Sequence, residues 1–419
     1  AIQLEGIPDN LVPGLWKKSD IIQQEKHKNV PNFFAYDRYW VGRQNVISDL
    51  TNRIQKNCRL LIIVGVTGIG KTALGERVSI ELSDWLGNDW NQFYQKHFDS
   101  EDGNHDFINF ATKFLERQEE FLRPEERKDP KQILKRFTIL LQKNRYLIQI
   151  DSLENILQGD EENGWSDFQD KWWVKFFENY LKMDYCRSCI ILTSQDLPRQ
   201  IQEVGTRYQN FWYCQAISGL EDGESLELFK KIGIDISSSS SSQSYLERIG
   251  NAYEGHPLAL RVIAGEIQRS FRGNVVAYWK KHGKEVEEIE KSLQEAQTGY
   301  TTGIDDKWRI DRFTQNLRAH VQSRLHQTFN RLKTDAWYAY LLICQASIYR
   351  CPVPEEFWLS HLEEWVDDEE QQKIALDVLR DRYLIEELID NQNQSLLRMH
   401  NLVRSTALSH LEKLDESYE

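Results

Sequence analysis

One stretch limits what this chain can become more than any other. The apolar run Leu60-Leu61-Ile62-Ile63-Val64 leads straight into Gly65-Val66-Thr67-Gly68-Ile69-Gly70-Lys71-Thr72. The run is rich in β-branched residues and reads as a buried strand, and Ala73-Leu74-Gly75-Glu76-Arg77-Val78 after it reads as helix. A strand that turns sharply into a helix leaves backbone N–H groups facing one concavity, at the positive end of the helix dipole. The spacing G-x-x-x-x-G-K-T suits a di- or triphosphate. The backbone from Thr67, Gly68, Ile69 and Gly70 to Ala73 cradles it, and the glycines permit close approach. Lys71 brings a point charge to the terminal phosphates, and the Thr72 hydroxyl is placed to ligate Mg²⁺. An ordinary glycine-rich turn before a helix has no need of all these residues in this context. The chain is expected to bind a nucleotide.

The chain has 419 residues, too many for one core, so about three domains are expected. It is 40% hydrophobic and 28% charged, the balance of a soluble globular protein. No apolar run approaches the ~18 residues of a membrane span, and Ala1-Ile2-Gln3-Leu4-Glu5 lacks the basic and apolar regions of a signal peptide. No membrane partner and a cytoplasmic location are therefore expected. The missing initiator Met reads as a processed or excised fragment. Net charge is −13, from 52 basic and 65 acidic residues, which disfavours bulk binding to nucleic acid. Of six cysteines, only Cys186 and Cys189 have metal-like spacing, and no second pair completes a site. They read as structural thiols in a reducing cytosol.

Residues 1–30 are polar, carry Pro8, Pro13 and Gly14, and read as a linker or a short leading helix. The aromatic run Phe33 to Trp40 reads mostly as core, placed to line a base pocket, and a helix is expected over 44–56. After the phosphate loop, Phe93 to Phe98 reads as a strand ending in the acidic turn Asp99 to Gly103. Helices are expected over about 106–121 and 130–143. The strand Tyr146-Leu147-Ile148-Gln149-Ile150 ends in Asp151, an acid placed to hold Mg²⁺ hydration opposite Thr72. Another buried strand runs from Cys189 to Leu192 and ends in Thr193-Ser194-Gln195, and Phe211-Trp212-Tyr213 reads as the last strand. The pattern then turns helical. Ser237 to Ser242 reads as a flexible loop, and Pro257 as a helix start. Helices are expected around 309–332, 335–348, 354–365, 369–382 and 402–414, with a hairpin of Leu384 to Leu388 and Leu396 to His400. Helices followed by a two-stranded wing outline a winged helix.

In this order the pieces resemble the NB-ARC branch of the STAND NTPases, over roughly residues 31–415. Val41-Gly42-Arg43 is similar to the family's motif beside the adenine. Gly65–Thr72 is similar to its Walker A, Ile148-Gln149-Ile150-Asp151 to its Walker B, and Ile191 to Gln195 to its sensor strand. Gly255-His256-Pro257-Leu258-Ala259 resembles G-L-P-L-A, whose proline packs on the base. Met399-His400-Asn401 resembles M-H-D, whose histidine reaches the β-phosphate of ADP. The resemblance implies an α/β P-loop NTPase domain with a mostly parallel sheet (31–215), then a small helical domain (216–300) and a winged-helix domain (301–419). It also implies ADP or ATP with Mg²⁺, a closed ADP state, homo-oligomers on activation, and effector and sensor domains on the same full-length chain. A bacterial source is expected.

Three positions depart from the family. Ser152 stands where a second acid follows the Walker B aspartate, with Glu154 nearby as the remaining candidate to orient water. Gln195 replaces the sensor arginine that reads the γ-phosphate, and Asn401 replaces an aspartate. The first two weaken the case for efficient hydrolysis, because charge-assisted contacts to phosphate are about twice as strong as neutral ones. Three readings therefore stand side by side. One is an ADP/ATP switch. One is an ATPase whose turnover is its output, using Lys71, Asp151 and Glu154. The third is a winged-helix regulator of DNA, with Arg398, Arg404 and Lys413 locally basic.

Overall fold

The computed structural model describes residues 31, 33, 39–98, 105–160, 164–236, 240–298, 312–366, 368–389 and 394–415. The 1–30 linker, the acidic turn at 99–103, Ser237 to Ser239 and most of the polar stretch Thr298 to Asp306, which the sequence offers as a connection, lie outside the described residues, as do five of the aromatic stretch at 34–38.

The strand β1 (Leu60–Val64) lies in a five-stranded sheet with β2 (Phe93–His97), β3 (Leu147–Asp151), β6 (Cys189–Ser194) and β7 (Trp212–Ala216). The order is β2-β3-β6-β1-β7, and every pairing is parallel. Parallel strands covered on both faces read as unbroken apolar runs, and β1 shows why. Leu60, Ile62 and Val64 enter one core, while Leu61 and Ile63 enter the other. The second core is closed by α1 (Gln44–Lys56) and α2 (Lys71–Glu81) through Leu50, Ile54, Leu74 and Val78. The first is closed by α3 (Phe107–Arg117), α4 (Pro130–Lys143) and α5 (Lys171–Lys182). Aromatic rings fill it: Trp173 meets Phe107 edge-on at 5.3 Å and donates its indole N–H to the His105 carbonyl at 2.9 Å.

Between β3 and α5 the chain forms a hairpin that sequence patterning did not announce, β4 (Leu157–Asp160) with β5 (Gly164–Phe168). After α6 (Arg199–Gly205) and β7 come the helices α7 (Asp222–Lys231), α8 (Ser240–Ala252), α9 (Pro257–Phe271) and α10 (Val275–Thr298). The serine run is a correction: Ser240 to Ser242 belong to α8, not to a loop. Serine is well tolerated in a first helical turn, and packing holds this one, with Ser242 buried and Tyr245 stacked on Trp279 of α10 at 4.5 Å.

The C-terminal region holds α11 (Arg312–Asp335), α12 (Trp337–Gln345), α13 (Glu355–Leu359), α14 (Glu369–Asp381) and α15 (Asn401–Asp415). A small sheet of order β8-β10-β9 joins β8 (Val353–Pro354), β9 (Glu386–Ile389) and β10 (Ser395–Arg398), giving a winged-helix outline. The helix expected over 354–365 is instead α13 followed by the 3₁₀ turn Ser360–Leu362, which tucks Trp358 and Leu362 into the core. The chain is thus an α/β P-loop domain followed by helical and winged-helix domains. The last two share one hydrophobic core. Their backbones touch at Gly265 of α9, where a Cβ would sit 2.7 Å from the Asp381 carbonyl oxygen. Among the described residues no helix is long and apolar enough to cross a membrane.

Candidate functional site

The phosphate loop joins β1 to α2 beside the ends of β6 and β3, the edge where open α/β sheets place ligands. Gly68 and Gly70 take φ of 84° and 95°, conformations in which a side chain would be strained. Lys71 curls back so that its ammonium donates to the carbonyls of Gly65 at 2.8 Å and Val66 at 3.1 Å. This closes the loop into a ring and puts a positive charge at its centre. The Gly65 N–H donates to the Ser194 carbonyl at 3.3 Å, tying the loop to β6. The buried hydroxyls of Thr67 and Ser194 have no hydrogen-bond partner among the described residues. A bound phosphate ester and its water shell would satisfy such groups.

Asp151 ends β3 under the loop. Its Oδ1 accepts from the Thr72 hydroxyl at 2.7 Å and from the Thr193 hydroxyl, and its Oδ2 pairs with His97 Nδ1 at 3.0 Å. Burial alone would raise its pKa. The bond and charge of His97, with the two hydroxyls, outweigh that and hold the carboxyl far below the usual carboxylate range. Asp151 is therefore a fixed anion, and with Thr72 it fits a magnesium ion that keeps most of its waters. Bound there, the ion would neutralise phosphate charge. His97 and Thr193 were not singled out by sequence reasoning. The register pairing His97 with Asp151 across β2 and β3 is a three-dimensional fact with no local signature.

Glu154, the acid left near the Ser152 departure, and Gln195, the departure at the sensor position, meet here. Ser152 adopts φ 61° and ψ 51°, and its N–H donates to Thr193 Oγ1 at 3.1 Å. The sharp turn feeds the 3₁₀ segment Leu153–Ile156, which brings Glu154 back to the end of β6. Gln195 donates its backbone N–H to Glu154 Oε2 at 3.3 Å and its side-chain amide to Oε1 at 3.2 Å. Burial raises the Glu154 pKa, Lys71 opposes the rise and Asp151 adds to it, so the carboxylate lies within the field of both.

Residues from outside the sheet close over the loop. Arg43 starts α1 with its guanidinium donating to the carbonyls of Ile69 at 2.8 Å and Ser218 at 2.9 Å. Burial brings its pKa down to about 10, against the charge of Glu224. Val41 is buried in the same core as Val66 and Ile69 of the loop, Leu258 of α9 and Met399 of the winged helix. His256 caps α9: its Nδ1 accepts from the Ala259 N–H at 3.3 Å, so Nε2 carries the proton and donates to the Thr67 carbonyl at 3.0 Å. Burial presses the His256 pKa down to about 4, against the bond to Thr67, with the charges of His400, Lys71 and Arg43 adding to the fall. The ring is neutral at pH 7. Pro257 occupies the first turn of α9, as its fixed φ favours. His400 accepts the Leu402 N–H on Nδ1 at 3.2 Å at the start of α15. Tyr39, Arg261 and Tyr383 link the three parts again, the guanidinium 5.4 Å from each ring.

The structure thus gathers Lys71, Thr72, Asp151, Glu154 and Gln195 at the sheet edge, and Arg43, Pro257 and His400 at the roof. His256, which grips the loop at Thr67 as Arg43 does at Ile69, was not singled out in the sequence beside its neighbour Pro257. Its contact also explains Gly68, where a Cβ would lie 2.8 Å from His256 Cε1 and 3.0 Å from Leu258 Cδ2. Gly68→Ala is expected to destabilise the chain by about 1–3 kcal/mol, from the strained φ and the displaced ring. A thermal midpoint equal to wild type would show that the roof tolerates a side chain there.

The sequence matches no protein-family model. An uncharacterised WD repeat-containing protein of Nostoc sp. (strain PCC 7120) is 27% identical over 231 residues, which take in 53% of this chain and 17% of that protein. Among solved structures, the chain is similar to a STAND (signal transduction ATPase with numerous domains) protein with a tetratricopeptide repeat sensor, from Pyrococcus horikoshii. The TM-score is 0.51 at 16% identity, over 92% of this chain and 44% of that one. The Walker-type ATPase of Pyrococcus abyssi aligns at TM-score 0.38 and 11% identity, over 91% and 99% of the two chains. The chain spans less than half the length of the first two. The architecture described above, with its likeness to the Pyrococcus horikoshii structure, defines a class of fold: a P-loop ATPase fold with helical and winged-helix domains.

Proposed function

We propose that this chain is an ADP/ATP switch of the NB-ARC type, with domains at 31–215, 216–300 and 301–419, and that it forms the core of a larger signalling or defence protein. One observation carries the reading. Val66 and Ile69 of the phosphate loop pack not into the sheet's cores but into the core shared by the helical and winged-helix domains. A change of nucleotide at the loop therefore acts on the seats of both following domains. ADP would be held by the loop amides, Lys71 and His400, and ATP would displace the winged helix and expose a surface for homo-oligomers. Moving such an equilibrium from 1:99 to 99:1 takes about 5.5 kcal/mol of differential affinity. Charge-assisted hydrogen bonds at about 1.5–3 kcal/mol each, with repacking of the shared core, supply that order. A sensor array beyond the core fits this reading, since the Nostoc relative is named for WD repeats and the Pyrococcus structure for a tetratricopeptide sensor.

The test is to denature freshly purified protein and identify the released nucleotide by chromatography. Near-stoichiometric ADP is expected. An empty protein that takes up ATP freely and turns it over would favour the plain ATPase instead. In the same assay His400→Ala is expected to retain several-fold less ADP, and equal ADP content would remove the histidine lock. The DNA-regulator reading has the net charge of −13 against it, and salt-sensitive binding to duplex DNA would be its signature.

A further inference from the structure

We infer that Gln195 is a positioning residue that holds Glu154 as the water-activating base of a slow ATP hydrolysis. In this chain the base stands three residues beyond Asp151, where the resemblance would place it at 152. The inference rests on nucleotide binding at the phosphate loop, but not on the switch.

The argument starts from the backbone. A serine at 152 has no carboxylate to offer, and its left-handed φ of 61° breaks the strand directly after Asp151. Non-glycine residues adopt that conformation at a cost and persist there when surrounding structure demands it. The demand is visible: Thr193 Oγ1 receives the Ser152 N–H while its own proton goes to Asp151. The turn starts the 3₁₀ segment, and Glu154 swings toward the sheet edge. Gln195, the residue after β6, meets it with two donors, one to each carboxylate oxygen. At 3.3 and 3.2 Å these bonds are long enough to leave the carboxylate basic, while two donors in a fork fix its plane. An arginine at 195 would form a charge-assisted pair and neutralise the carboxylate. The neutral amide orients it and leaves it able to accept a proton. Burial raises the pKa of the group, which suits a base.

The step balances simply. A water molecule passes one proton to a Glu154 oxygen as its own oxygen bonds to the γ-phosphorus. The bond from that phosphorus to the β–γ bridging oxygen breaks, and ADP leaves with the electron pair. Glu154 then returns its proton to solvent. Lys71 and the loop amides hold the phosphates throughout.

The experiment uses the full chain with ATP and Mg²⁺, and measures steady-state phosphate release and retained nucleotide for wild type, Glu154→Gln, Gln195→Ala and the double variant. Glu154→Gln is expected to lower kcat by about 100-fold or more, with ATP retention within a few-fold of wild type. Gln195→Ala is expected to lower kcat by about 10-fold with KM unchanged in the wild-type background. It should do nothing further in the Glu154→Gln background, because residues that act as a unit are not additive. A purely structural Gln195 would cost the same factor in both backgrounds, and that result overturns the inference. So does a Glu154→Gln variant that keeps wild-type turnover, or a wild-type chain that holds ATP and never hydrolyses it. A wild-type chain that takes up no nucleotide overturns the site itself, and this role with it.

Discussion

Lys71→Met is expected to lower the affinity for ADP and ATP by about 2–5 kcal/mol, tens- to thousands-fold, while the fold survives. Methionine keeps the buried aliphatic stem of a side chain that is 8% exposed, so packing changes little. What disappears is the ammonium at the centre of the loop, with its bonds to the Gly65 and Val66 carbonyls. The Val66 oxygen keeps the Ile69 N–H at 3.3 Å, while the Gly65 oxygen loses the Lys71 donor, and a buried polar atom that loses its partner costs about 1–3 kcal/mol of stability. The two consequences separate cleanly. Titration calorimetry with ADP reads the first, and thermal unfolding without nucleotide reads the second. An affinity within threefold of wild type would mean that the loop binds its ligand through backbone amides alone, and that Lys71 serves only to close the ring.

Much of this site was legible because its signals are local. The phosphate loop, its feeding strand and the acid ending β3 depend on contiguous residues with strong backbone requirements. Helix 44–56 begins and ends where amphipathic spacing placed it, and helix 130–143 starts at Pro130 as expected. The winged-helix outline followed from helices and a hairpin in order. What was not legible comes from contacts between distant segments. His97 acts on Asp151 only because β2 lies beside β3. His256 reaches Thr67 across 189 positions of sequence. The β4–β5 hairpin was missed although the sequence offers the turn dipeptide Asn163-Gly164, because its strands are short and its pairing carries an irregularity between Leu157 and Gly159 that blurs any alternation. Gln195 looked like a weakened phosphate reader when taken alone. Beside Glu154 it is an amide fork for a carboxylate, a role that no single position announces.

The largest effect on stability is expected away from the phosphates, at Glu266. This carboxylate lies in α9 with 2% exposure and receives two arginines from α11. Arg324, itself 1% exposed, donates to its Oε2. Arg331 donates to both oxygens at 2.6 and 2.7 Å and uses its other nitrogen to grip Glu285 of α10 at 2.9 and 3.0 Å. Burial would raise the Glu266 pKa, but Arg324 and Arg331 outweigh it and pull the group below its ordinary 4.5. A carboxyl lowered on folding adds stability above its unfolded pKa and loses it as pH falls through the folded value, so this cluster resists unfolding at neutral pH and weakens in acid. Removing one member of a buried pair leaves an uncompensated charge, which typically destabilises by 3–5 kcal/mol, more than the pair is worth against apolar replacements. Glu266→Gln is therefore expected to lower the unfolding free energy by about that amount. The double variant Glu266→Met with Arg324→Leu should recover part of the loss, because the orphaned guanidinium is gone and the volume stays filled. Denaturant unfolding of wild type, Glu266→Gln, Glu266→Met, Arg324→Leu and the double variant decides the matter. A Glu266→Gln variant within 1 kcal/mol of wild type, or a double variant worse than the sum of its singles, would mean that water reaches the cluster and screens it. Because α11 carries both arginines while α9 and α10 carry the acids, the same loss would loosen the winged helix from the helical domain.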